Sequence, residues 1–238
     1  MHPQNLIDEN QYGFLDSKLP AASYKLTFKA SNGKGVYSFC MCPGGYVVNA
    51  SSETNRLCIN GMSYAQRDSG IANSALIVTV NETDYGTTLF AGVEFQRKLE
   101  AKAYQLGKGL IPMETYGDFK DNKNPKSLGK LEPKIKGQYH LANLNELLPP
   151  NLNIALKEGI ENFDKKIKGF ASNEALLCGI ESRSSSPLRI TRNEYYESNI
   201  SCIYPCGEGA GYAGGITSAA IDGLKVSEAI MNKFKPLR

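Results

Sequence analysis

The sequence predicts an α+β fold, and three observations carry that prediction. Apolar residues recur with period 2 through the first third of the chain. They then change to helical spacing in two long stretches, and a glycine-rich turn followed by a helix closes the sequence. At 238 residues the chain can bury one sizeable core, or one core and a smaller lobe.

The strands come first. "SYKLTFKA" alternates Tyr24, Leu26 and Phe28 with polar residues, the pattern of a strand with one buried face. "GKGVYSFCMC" follows the turn residues Ser31, Asn32 and Gly33, which predicts a hairpin. "GYVVNAS" and "RLCIN" read as two more strands about a turn at residues 51–55, and "SALIVTVN" is apolar enough to be central. Together they predict a mostly antiparallel sheet.

The period changes in "TLFAGVEFQRKLEAKAYQLG", where Leu89, Val93, Gln96, Arg97, Leu99, Glu100 and Ala103 fall at helical spacing and Gly107 is placed to stop the helix. Residues 116–138 carry Lys120, Lys123, Lys126, Lys130, Lys134 and Lys136 among Gly, Pro and Asn, and are expected to form a long solvated loop. Without interleaved aromatics they do not read as a phosphate-binding patch. "LPPNLNIALKEGIENFDKKIKGF" predicts a second amphipathic helix, opened by Pro149 and Pro150 and ended near Gly169. "EALLCGIESRSS", "PLRITR" and "SCIYPC" read as short strands. The last helix, "ITSAAIDGLKVSEAIMNKF", is expected to carry Ile216, Ala219, Ala220, Leu224 and Ile230 on its apolar side.

Composition narrows the function classes. Apolar residues at 41% and charged residues at 21% are ordinary for a globular protein, and a net charge of +3 argues against nucleic acid or an anionic membrane as partner. No apolar run is long enough for a transmembrane helix, and "MHPQNLIDENQYG" lacks the features of a secretory signal, so a cytoplasmic location is expected. The six cysteines are then expected to be reduced, although an even number permits disulfides in an oxidising compartment. Period 2 places Cys40 and Cys42 on one strand face, and neither that spacing nor that of Cys202 and Cys206 is a zinc or thioredoxin-like motif. Buried small thiols are the expectation. With only His2, at a terminus expected to fray, and His140, no metal site is expected.

Two stretches are read for chemistry. Asn60, Ser63, Arg67, Asp68 and Asn73 share one polar loop, which backbone-satisfying turns explain. In "ESRSSSPLRI", Arg183 stands among small hydroxyl residues, an arrangement suited to an anionic ligand or the electron-rich edge of a cofactor. A surface arginine in a flexible serine turn is the alternative. In "PCGEGAGYAGGITSAAIDG", the run from Gly209 to Gly214 fits G-x-G-x-x-G literally. A dinucleotide fingerprint also needs a helix, a second strand and an acid about 20 residues on, and after Gly214 the sequence has room only for the helix. What survives is Glu208, a run of glycines and a helix start near Gly215, Ile216 and Thr217, with unpaired N–H donors for negative charge.

Together with "HPQNLIDENQYG", "YSFCMCPGGYVVNASSE", "NGMSYAQRDSGIANSALIVTV" and "GVEFQRKLE", these stretches resemble a family of bacterial FAD-dependent, NAD(FAD)-utilising dehydrogenases of the two-dinucleotide-binding-domain type, in order over nearly the whole chain. The resemblance implies a substrate-side middle domain at residues 1–190. It also implies the C-terminal strand–turn–helix of a Rossmann-like FAD domain at residues 191–238. By resemblance Gly207, Glu208 and Gly209 contact the ribitol of FAD and Gly215, Ile216 and Thr217 the pyrimidine edge of the flavin ring, with Gly214 also counted as cofactor-binding; the serine-rich turn makes Arg183 a further candidate partner of flavin or substrate. The implied partners are a small-molecule substrate and NAD(P)H. The family's N-terminal glycine motif for FAD has no counterpart here, so the expected protein is a truncated form or one whose FAD-binding portion is a separate polypeptide. The alternative is a cofactor-free interaction or structural module. No catalytic acid, base or nucleophile is assigned.

Overall fold

A computed structural model of the chain describes residues 1–16 and 18–234. In chain order the elements are β1 (His2–Pro3), α1 (Gln4–Tyr12), β2 (Thr27–Lys29), β3 (Gly35–Cys42), β4 (Tyr46–Asn49), β5 (Ile59–Met62), β6 (Ile71–Val78), α2 (Glu82–Tyr85), α3 (Ala91–Leu106), β7 (Ile111–Thr115), α4 (Tyr116–Asp121), β8 (Ile135–Lys136), β9 (Tyr139–Leu141), α5 (Pro150–Asp164), β10 (Leu176–Cys178) and α6 (Ile216–Lys233). They fall into two compact units. The first comprises Met1–Asn81 and Arg97–Ser182, the second Glu82–Gln96 and Arg183 onward.

The first unit is α+β. Its main sheet, in the order β1-β6-β3-β2, is antiparallel throughout, whereas β10-β7-β9 and β5-β4-β8 each add one parallel pair. Helix α5 opens at Pro150 and turns Leu152, Ala155, Ile160 and Phe163 inward against β2, β3 and β6. Gly159 permits the closest approach, because a Cβ there would lie 2.5 Å from Val36 Cγ1. A second apolar cluster gathers Met113, Leu128 and Leu176.

Several expectations change against this frame. The lysine-rich stretch is not one long loop: Thr115 caps α4 by accepting the Asp118 N–H at 3.2 Å, and Tyr116, Phe119 and Leu128 are buried. Two or three apolar anchors suffice to hold a segment whose other residues stay solvated. His2 is not frayed. It is buried in β1 opposite Ala72, its Nε2 lies 3.0 Å from the Tyr24 hydroxyl, and its ring packs on Phe170. Cys40 and Cys42 do not share a regular face, because a bulge breaks β3 between Phe39 and Cys42 and Cys40 takes a positive φ. All six cysteines are free thiols, but only Cys58 is buried; Cys40, Cys202 and Cys206 are exposed. Strand β7, unread in the sequence, is a continuous buried run from Ile111 to Glu114 placed between β9 and β10. No described helix is long and apolar enough to cross a membrane.

In the second unit, "PLRITR" and "SCIYPC" are irregular rather than strands. A strand needs a neighbour to take its backbone hydrogen bonds; these segments bond within turns and to side chains, apart from a single backbone bond from the Ile190 N–H to the Ala210 carbonyl. Helix α6 also presents a different face from the expected one. Val226 is buried, Ala219 and Ile230 are half-buried, and Ala220 is exposed. Ile216 and Leu224, read as apolar-side residues, are 86% and 66% exposed.

Candidate functional site

The second unit has a small apolar interior, with Ala91, Ala210 and Val226 its buried hydrophobic residues among those described. Polar contacts give it form. The Asp222 carboxylate, on α6, receives both forks of Arg192, at 2.6 and 2.9 Å, and the Gly207 N–H at 2.8 Å. These donors, Arg192 first, hold the Asp222 carboxyl below its usual range. Arg192 also donates to the Pro205 carbonyl and stacks on Tyr212, its guanidinium carbon 3.6 Å from the ring centroid. Asp222 therefore ties the glycine segment to the helix that follows it. The sequence held one signal for it: a carboxylate in the middle of a helix rich in small apolar residues needs a partner.

The glycine segment itself is a compact turn. The Gly211 N–H donates to the Glu208 carbonyl at 2.9 Å and the Tyr212 N–H to the Gly207 carbonyl at 3.1 Å. Gly207 and Gly211 sit at positive φ, and a Cβ on Gly211 would fall 2.4 Å from the Leu188 carbonyl oxygen. This segment and the serine-rich turn, read separately in the sequence, lie side by side. Ser186 Oγ donates to the carbonyls of Leu188 and Gly209, the Ile190 N–H to the Ala210 carbonyl, and Arg189 Nε to the Gly211 carbonyl. The Ser184 carbonyl oxygen and Ser185 Cβ each lie 3.9 Å from where a Gly214 Cβ would stand. On its far side the serine turn backs onto the start of α3, where a Cβ on Gly92 would approach Pro187 Cβ to 2.9 Å.

The other predicted residues border open space. A Cβ on Gly209 would meet nothing within 4 Å, and one on Gly215 would meet only Ser218 Oγ, at 3.5 Å. Glu208 is exposed, and its carboxylate makes no hydrogen bond or ion pair among the described residues. Arg183 is exposed and immediately precedes the Ser184–Ser185 pair. At the start of α6, Gly215 gives its N–H to Ser218 Oγ at 3.2 Å, and its carbonyl accepts the first intrahelical bond, from the Ala219 N–H. The N–H groups of Ile216, Thr217 and Ser218 lie ahead of the helical ladder and have no helical acceptor. Ile216 and Thr217 are exposed.

A serine-and-arginine turn, an unhindered glycine backbone and an open helix start thus share one small unit. The chain belongs to the family of FAD-dependent proteins described as "FAD-dependent protein, C-terminal domain-like", whose family model matches residues 1–184. It is also similar to an uncharacterized protein of Clostridium beijerinckii (strain ATCC 51743 / NCIMB 8052). The two are 52% identical over 240 residues, covering 98% of this chain and 45% of the relative. The chain spans less than half the length of that curated relative.

Proposed function

We propose that this chain supplies part of the flavin site of an FAD-dependent oxidoreductase acting on a small molecule, with NAD(P)H as a further reactant. The observation that carries the reading is the meeting of the serine turn, the open glycines and the start of α6. These residues suit FAD. Backbone without Cβ atoms at Gly209, Gly214 and Gly215 lets a flat or hydroxylated group approach closely. The Glu208 carboxylate, acceptor-only when ionised, matches the hydroxyls of a ribitol chain beside Gly207 and Gly209. The N–H groups of Ile216 and Thr217 offer hydrogen bonds and the positive end of the helix dipole to a pyrimidine edge. Arg183 adds a guanidinium at the neighbouring turn. When bound, FAD supplies hydride acceptance; this chain's part is to hold donors where negative charge accumulates. The remaining contacts of the cofactor are proposed to come from a further polypeptide segment, of the kind a longer relative has room for.

A second reading is favoured by one observation. Ile216, Ile221, Leu224 and Met231 leave much of α6 apolar and exposed, which suits an interaction module without cofactor. Desalting after FAD addition separates the two. The test compares this chain with a polypeptide extended to the length of the Clostridium relative. A visible flavin band retained by the extended protein and weakened by Glu208→Ala supports the flavin reading. A colourless extended protein overturns it in favour of the module.

A further inference from the structure

The polar loop between β5 and β6 builds a second site, wholly within the first unit. Residues 63–67 and the facing pair Pro20 and Ala21 line a cleft of about 420 Å³, a size that accommodates a small organic ligand. Part of this polar loop satisfies backbone groups, as its residue types predict. Ser63 Oγ donates to the Pro43 carbonyl and Ser69 Oγ to the Gly45 carbonyl, both at 2.7 Å. The Arg67 N–H closes a turn on the Tyr64 carbonyl at 3.1 Å, but the side chains of Tyr64, Gln66 and Arg67 are not used that way.

Both walls of the cleft are anchored to one buried side chain. Gln4, 6% exposed, accepts the Gly44 N–H at 2.8 Å through Oε1 and donates through Nε2 to the Ala22 carbonyl at 3.0 Å. Gly44 supports the loop, since a Cβ there would overlap the Arg67 carbonyl, and Ala22 follows the Pro20–Ala21 wall directly. The Tyr12 hydroxyl fixes that wall further by donating to the Pro20 carbonyl at 2.9 Å. The width of the cleft is therefore set from inside the fold.

The lining has a definite chemistry. Arg67 holds a positive φ of 54°, a backbone state that a residue with a Cβ adopts at a cost of about 1 kcal/mol or more. Its guanidinium is exposed and makes no hydrogen bond or ion pair among the described residues. Tyr64 is 47% exposed. Its ring is held edge-on by Tyr46, at 5.6 Å between centroids, with the Lys136 ammonium 5.5 Å from its centre. Pro20, Ala21 and Ala65 give apolar surface. An unpaired planar fork beside a fixed aromatic ring and an apolar wall selects a flat molecule ending in a carboxylate.

We propose that this cleft binds a small aromatic carboxylate, with Arg67 taking the carboxylate and Tyr64 with Pro20 and Ala21 enclosing the ring. The site stands on the first unit alone and is independent of the flavin reading. The test is a titration of the ¹⁵N-labelled chain with benzoate, using benzamide as the neutral isostere. Benzoate is expected to shift the amides of residues 64–68 and Ala21 saturably, with benzamide at least about ten-fold weaker. Arg67→Gly, which suits the left-handed backbone and keeps the loop folded, is expected to weaken benzoate by about ten-fold or more and leave the distant resonances in place. Arg67→Lys is expected to fall between the two. Equal binding of benzamide, benzoate shifts that survive Arg67→Gly, or no saturable shift at all would each overturn the proposal.

Discussion

Asp222 and Arg192 form a bidentate pair at 2.6 and 2.9 Å with side chains only 13% and 9% exposed, and the same carboxylate holds the Gly207 N–H. In a unit with so little apolar interior, one such pair has unusual weight. Removing one partner strands the other charge away from water, a loss of about 3 kcal/mol for a buried pair. Asp222→Asn is expected to raise amide hydrogen exchange at Gly207 and Tyr212 selectively, leaving β3 and β6 protected. Arg192→Lys is not expected to rescue it, since an ammonium lacks the fork and the stack on Tyr212. The Asp222 carboxyl is depressed on folding. Its contribution is therefore present above the unfolded value of 3.8 and lost as pH falls through the lower folded value. Protection of the second unit that holds unchanged well below pH 3.8 would contradict this.

Glu114 has the opposite sign. It is fully buried on β7, its Oε1 accepts the Leu144 N–H at 2.6 Å, its Oε2 has no partner among the described residues, and burial pushes its carboxyl up to about 8. The folded state binds this proton more tightly than the unfolded chain does. The contribution of Glu114 should therefore be greatest below the unfolded value of 4.5 and decline as pH rises toward about 8, by on the order of a few kcal/mol, while the buried His2 imidazole, held well below 6.5 by burial, acts with the opposite sign. Glu114→Gln keeps an acceptor for Leu144 and removes the titration. Across that range the urea midpoint of the native chain should fall relative to that of the variant, the difference widening as pH rises toward about 8. An equal slope in both would exclude Glu114 as the source.

What the sequence made legible follows from where the restraints lie. The strands of "GKGVYSFCMC", "GYVVNAS" and "SALIVTVN" and the helix opened by Pro150 depend on short-range pattern and appear at the expected places, whereas the alternation through Tyr24, Leu26 and Phe28 yields only the short β2 at Thr27–Lys29. The bulge before Cys42, the burial of His2 and the turn-bound "PLRITR" depend on partners far along the chain, which periodicity does not encode. The glycine turn and the serine turn were each readable as ligand-facing, but Ser186 and Gly211 join them only through tertiary contacts. The expected face of α6 failed for a different reason. Its packed side is organised around the charged Asp222, so apolar spacing pointed elsewhere.

That face can be mapped directly. Val226 is 4% exposed and Leu224 66% exposed. Val226→Ala should cost about 1–2 kcal/mol of second-unit stability, whereas Leu224→Gln should change it by less than about 0.5 kcal/mol. Exchange protection of α6 amides reads both. The Leu224 change should also lower binding of an apolar dye, since it removes exposed surface.

Gly159 and Gly223 are helical glycines in opposite surroundings, so one substitution separates propensity from packing. Alanine is favoured over glycine in a helix by about 1 kcal/mol wherever space allows. At Gly223 a Cβ would meet nothing within 4 Å, and Gly223→Ala should stabilise α6 by roughly that amount. At Gly159 the same Cβ would stand 2.5 Å from Val36 Cγ1 and 2.9 Å from Val36 Cβ, against a residue with no exposure. Valine is stiff at χ1 and cannot turn aside. The helix would have to lift from the sheet, at a typical overpacking cost of about 1–3 kcal/mol. Gly159→Ala should therefore lower the urea midpoint of the first unit while Gly223→Ala raises protection in α6. If both substitutions stabilised, α5 would not be seated against β3 as closely as Gly159 indicates.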